Sequence, residues 1–67
     1  MVLILNGEAR DLPPGSTLPD VLAILGYDSP RGVAVAVDGN VVPRSLWESF
    51  DLDSGMRVEV LRAVQGG

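Results

Sequence analysis

The 67-residue sequence predicts an α+β fold, a mixed sheet of about five strands with one main helix packed on one face. Three features predict it. Asn6-Gly7 and Asp38-Gly39 are two-residue hairpin signals, each following an apolar run. "STLPDVLAILG" has helical periodicity over a useful length. The chain also opens and closes on strand-patterned segments, "MVLILN" and "MRVEVLRAV".

Taken in order, "MVLILN" is a short apolar strand that turns at Asn6-Gly7 into "EARDL", a more polar strand. Ala9 and Leu12 are its candidates for burial. Pro13-Pro14-Gly15 breaks the pattern into a loop. In the helix, Leu18, Val21, Leu22 and Leu25 stand at i, i+3, i+4 and i+7 and make one apolar stripe. Thr17 with Asp20 gives capping-box spacing, Pro19 falls in the first turn where its missing N–H costs little, and Gly26 is the stop.

Ser29-Pro30 disfavours helical continuation through "YDSPRG". "VAVAV" (Val33 to Val37) alternates strictly, sending valines to the core and Ala34 and Ala36 outward or toward a partner. Val41 and Val42 return after Asp38-Gly39 as a very short strand that Pro43 ends. "SLWESF" has Ser45 and Glu48 in capping-box spacing and predicts one turn of helix. Trp47 and Phe50 then pin that turn over an open end of the core. "DLDSG" is a turn. The last strand puts Val58 and Val60 on one face and Arg57, Glu59 and Leu61 on the other, and extends to Ala63 or Val64.

The order is β-β-α-β-β-(short helix)-β. Parallel strands need a crossover, and the single helix is the natural one. Pairing the first strand with the last in the middle makes the most apolar strands central and "EARDL" an edge. That arrangement is the β-grasp. Residues 1–64 form this domain, and residues 65–67, Gln65-Gly66-Gly67, form a flexible C-terminal tail.

Composition narrows the chemistry. An apolar fraction of 46% argues for a globular chain. No apolar run is long enough to span a bilayer, and no secretory leader pattern opens the sequence. A soluble cytoplasmic domain is the expectation. Cysteine and histidine are both absent, which removes thiol catalysis, thiolate metal sites and the commonest general base. Lysine is absent too; the basic residues are Arg10, Arg31, Arg44, Arg57 and Arg62. At a net charge of −4 a nucleic-acid backbone is repelled, and a partner with a basic docking surface is favoured.

Five features remain as candidates. Asp51 and Asp53 lack the further oxygen ligands of a metal loop and read as a turn. "PPGST" lacks the lysine and second glycine of a phosphate-binding loop. Ser16, Ser29, Ser45, Ser49 and Ser54 have no histidine or lysine to activate them and read as caps and turns. Ala34, Ala36 and Leu61 form either a plain sheet surface or a flat partner-binding patch. The fifth is the α-carboxylate of Gly67. It is ionised and poorly electrophilic at neutral pH, so a partner enzyme would have to activate it, as an acyl-adenylate made with ATP. Two glycines before it place no side chain in a narrow channel and accept any φ. A frayed terminus is the plain alternative.

This order, ending in "AVQGG", resembles ubiquitin and its prokaryotic sulfur-carrier relatives, and most closely the ThiS-type carriers of thiamin thiazole biosynthesis. The resemblance covers essentially the whole chain through "LNGE", "STLPDVLAILG" and "GVAVAVDGNVVPRSLW", of which "VVPRSLW" (Val41 to Trp47) discriminates best. It implies that the chain is no enzyme but a substrate of partner enzymes. A ubiquitin-activating-like enzyme adenylates Gly67, and sulfur from a cysteine desulfurase or other persulfide donor displaces AMP to leave a thiocarboxylate. Thiazole synthase then takes the sulfur. The carrier itself binds no cofactor or metal and engages neither nucleic acid nor membrane; ATP belongs to the partner. Leu61, Ala34, Ala36 and Arg44 make its expected partner-binding surface. Sulfur delivery to molybdopterin or tRNA, conjugation to protein amines, and a non-reactive interaction module stay open as alternatives. A chain without lysine also offers no side-chain amine to capture its own acyl-adenylate, although genomic base composition explains the same absence.

Overall fold

The two Xaa-Gly hairpins shape the sheet in the computed structural model, which describes residues 1–62. Asn6 (φ 49°) with Gly7 (φ 85°), and Asp38 (φ 48°) with Gly39 (φ 85°), both adopt left-handed pairs. Such pairs match the twist of the flanking strands, and short polar side chains tolerate them. The first turn joins β1 (Val2–Leu5) to β2 (Glu8–Asp11) with Leu5 opposite Glu8. The second joins β3 (Val33–Val37) to β4 (Asn40–Val41) with Val37 opposite Asn40.

Between the hairpins runs α1 (Leu18–Ile24). Thr17 caps it, its N–H donating to an Asp20 carboxylate oxygen at 2.8 Å. Gly26 (φ 90°) ends it: Gly26 N–H donates to Ala23 C=O and Tyr27 N–H to Leu22 C=O, a Schellman motif. Leu18, Val21 and Leu22 are buried, and Leu25 packs at the margin of the core. Thus the helix and its stops follow the sequence pattern.

β5 (Arg57–Arg62) lies in the middle of the sheet, whose order is β2-β1-β5-β3-β4. It runs parallel to β1, with Leu5 opposite Val58, and antiparallel to β3, from Val37 opposite Val58 to Val33 opposite Arg62. This is the β-grasp order. Leu3 and Leu5, Val58 and Val60, and Val35 and Val37 all point to the face that α1 covers, and all are buried.

Two expectations change. Ala9 is exposed, as is all of β2. Ala9 pairs with Ile4 and so lies on the face away from α1, whereas Leu12, an odd number of residues later, reaches the core. A period of two cannot bury both. Glu8 and Arg10 share the α1 side but stand at the sheet edge, where they approach each other at 3.6 Å.

The second change concerns "SLWESF". The helical turn is 3-10, spans Arg44–Leu46, and has Pro43 at its N-cap with no side-chain cap bond. The Ser45–Glu48 spacing therefore does not make a capping box there. Pro43 starts the turn two residues before the expected Ser45 cap, because its fixed φ is already suitable. Trp47, which follows, is 4% exposed and donates its indole N–H to Val42 C=O at 2.9 Å, while Phe50 is half-buried against the core.

Trp47→Ala is expected to cost about 3–5 kcal/mol, read as a lower midpoint in urea unfolding, because the ring closes the core and leaves a cavity. Asn6→Ala should cost about 1–3 kcal/mol in the same measurement. It strains the left-handed turn and removes the Oδ1 that accepts Val60 N–H at 2.8 Å.

Candidate functional site

The reactive end expected from the sequence, Gln65-Gly66-Gly67, lies outside the described residues, as do Ala63 and Val64 at the expected end of the last strand. The described structure defines what leads up to it. β5 is held on its β1 side by Ile4 N–H to Met56 C=O and Asn6 N–H to Val58 C=O, both at 2.9 Å. The Asn6 side chain then continues the ladder one step further by accepting Val60 N–H. At the other end Asp38 does the same work: its N–H donates to Arg57 C=O at 2.8 Å, and its Oδ1 accepts Arg57 N–H at 2.9 Å. Each hairpin turn therefore grips β5, once near its start and once near Val60.

The sheet face away from α1 gathers Ala34, Ala36 and Leu61. Ala34 stands opposite Leu61, and residues directly opposite in an antiparallel pair share a face. Leu61 is 70% exposed. Val41, which is 75% exposed and opposite Ala36, joins them. The sequence reading left Val41 out, yet the Asp38-Gly39 turn contained the signal. A two-residue loop puts 37 opposite 40, and so 36 opposite 41. The result is a strip of small and aliphatic side chains across β4, β3 and β5, next to Glu59 opposite Ala36.

Arg44 stands apart from that strip. It lines a groove of about 620 Å³ with Leu22, Tyr27, Pro30 and Trp47, on the side of the molecule where α1 packs. Two acidic residues, Asp28 and Glu48, line the same groove.

The serines occupy structural roles. Ser16 Oγ donates to Pro13 C=O and Ser49 Oγ to Leu46 C=O, while Ser29 and Ser54 accept the backbone N–H groups of Arg31 and Val2. Asp53 C=O accepts Met56 N–H in the turn before β5. Among the described residues, no group of three or more acidic side chains could hold a metal ion. No helix of the described residues is long and apolar enough to cross a membrane.

Arg62 and Tyr27 carried no signal in the sequence, because 35 positions separate them and only the fold brings them together. The Arg62 guanidinium carbon lies 5.3 Å from the centroid of the Tyr27 ring.

Comparison with known proteins adds three findings. A family profile described as the ThiS family matches residues 3–67. A thiazole synthase of Paramagnetospirillum magneticum is 34% identical over 67 residues, which is 100% of this chain and 20% of that protein. The chain thus spans about a fifth of the length of that curated relative. The crystal structure of a thiamine biosynthesis protein (ThiS) from Geobacter metallireducens superposes with a TM-score of 0.78 at 26% identity, covering 100% of both chains.

Proposed function

Because this chain belongs to the ThiS family of small sulfur carriers of thiamin biosynthesis, we propose that its working group is the Gly67 carboxylate. The observation that supports this most directly is the extent of the family match, which runs through Gly67 itself. An adenylating partner enzyme joins that carboxylate to the α-phosphate of ATP and releases pyrophosphate. A persulfide sulfur then attacks the acyl carbon and expels AMP, and reductive cleavage of the resulting S–S bond by a thiol leaves a C-terminal thiocarboxylate. Thiazole synthase withdraws the sulfur, and the carrier returns to its carboxylate form in the cytoplasm. That a homologous segment occurs within a protein named thiazole synthase supports this acceptor over molybdopterin or tRNA.

The carrier contributes presentation rather than catalysis. The glycines keep the last two residues free of side chains, so that a narrow channel admits them. The aliphatic strip of Ala34, Ala36, Val41 and Leu61 supplies a flat surface for a partner, and Arg44 supplies a cation in the separate groove on the α1 side. Partner enzymes carry the ATP and the catalytic groups.

Incubation with ATP, sulfide and the adenylating enzyme should exchange one C-terminal oxygen for sulfur, read by intact-protein mass. Deleting Gly66 and Gly67 should abolish that exchange and leave the melting temperature nearly unchanged. An intact chain that stays a carboxylate beside an enzyme active on another carrier overturns the proposal. Capture by thiazole synthase, and not by the large subunit of molybdopterin synthase, is the expected pathway result.

Leu61→Asp addresses the strip. With Leu61 exposed, folding stability should change by no more than about 0.5 kcal/mol. Affinity for the adenylating enzyme should fall about tenfold or more, measured by titration calorimetry, as expected when a charge replaces an apolar contact at an interface centre.

A further inference from the structure

Val60 marks a change in how β5 is held. Up to that residue the strand has a neighbour on each side, the last one on the β1 side being the Asn6 carboxamide. Val60 is also the last buried side chain among the described residues. Beyond it, Leu61 and Arg62 are exposed and pair with Ala34 and Val33 of β3. Arg62 adds a second attachment through its own side chain. Its guanidinium lies over the Tyr27 ring, with Nη1 3.5 Å from Arg31 C=O and Nη2 3.3 Å from Ser29 C=O. The platform it rests on is itself fixed. Tyr27 closes the Schellman motif of α1 through its N–H to Leu22 C=O at 2.9 Å, and Ser29 Oγ accepts Arg31 N–H.

We propose that Arg62 is a positioning residue for the reactive C-terminus. Its guanidinium latches Arg62 of β5 to the 27–31 loop, so that the chain stays attached to the body through residue 62 rather than only through Val60. This role rests on Gly67 being the reacting end. Five residues follow Arg62 and reach at most roughly 17 Å when extended. Release after Val60 adds two residues, about 7 Å of slack, and both must be ordered again when an enzyme takes the tail. The side-chain type matters. A planar fork can stack on a ring and donate to two carbonyls at once, which an ammonium cannot.

The full chain and its variants Arg62→Lys, Arg62→Ala, Tyr27→Phe, Tyr27→Leu and Tyr27→Leu/Arg62→Ala test this in two measurements. The first is amide hydrogen exchange of the free protein at the Ala34–Leu61 pairing. The second is ATP–pyrophosphate exchange by the adenylating enzyme, resolved into KM and kcat for the carrier. Arg62→Lys, Arg62→Ala and Tyr27→Leu should each speed amide exchange there by about three- to tenfold, with the melting temperature little changed. Each should raise KM by a similar factor and leave kcat within about twofold. Tyr27→Phe, which keeps the ring, should match wild type, and the double variant should be no worse than either single.

Wild-type behaviour of Arg62→Lys would reduce Arg62 to a charge seen by the partner and overturn the latch. Unaltered amide exchange in the singles, or additive effects in the double variant, would overturn it too. Failure of the wild-type chain to support any pyrophosphate exchange refutes the reactive Gly67 and with it the positioning role. The latch itself is judged separately, by amide exchange in the free protein.

Discussion

The parallel pairing of β1 with β5 is the contact on which the rest of the structure depends. It joins the first strand to the last described one, so it closes the longest loop in the sheet. Only two residue pairs define its register, Ile4 with Arg57 and Leu5 with Val58. Such a short ladder needs reinforcement, and it comes from the turns. Asn6 lends its side chain to Val60 N–H, and Asp38 accepts Arg57 N–H on the other side of the strand. A residue type chosen by left-handed turn geometry thus also supplies the polar group that the central strand lacks.

That arrangement separates the molecule into a covered and an open face. α1 lies over Leu3, Leu5, Val35, Val37, Val58 and Val60, and Trp47 closes the core through its bond to Val42 C=O. The opposite face keeps Ala34, Val41 and Leu61 in solvent and Ala36 half-buried. A small domain gains little by leaving aliphatic side chains exposed unless something covers them at work. The proposed carrier role, in which partner proteins cover this face, would meet that condition.

The path toward Gly67 is graded. Among the described residues the last buried side chain is Val60, backbone pairing reaches Arg62, and the arginine side chain ties that residue to the loop after α1. Tyr27 links the helix stop at Gly26 to Arg62 of β5.

Much of this was legible in the residues. Alternation in "VAVAV" sorted valine from alanine, the Leu18-Val21-Leu22 stripe and Gly26 bounded the helix, and both Xaa-Gly turns appeared where expected, because each depends on near neighbours. Val41 was also within reach, since turn length sets register. Ala9 failed because two burial candidates three residues apart cannot share one strand face, and in "SLWESF" the helical turn formed but without the Ser45–Glu48 capping box, because Pro43 starts it.

The sequence by itself determined the strands, the main helix and the turn conformations, all governed by local sterics and residue identity. Tertiary structure alone decided that Asn6 reaches Val60, that Arg44 leaves the aliphatic strip for the groove, and that Arg62 rests on Tyr27. Those contacts join positions far apart in the chain, and no local pattern encodes them, because they exist only once β5 has entered between β1 and β3.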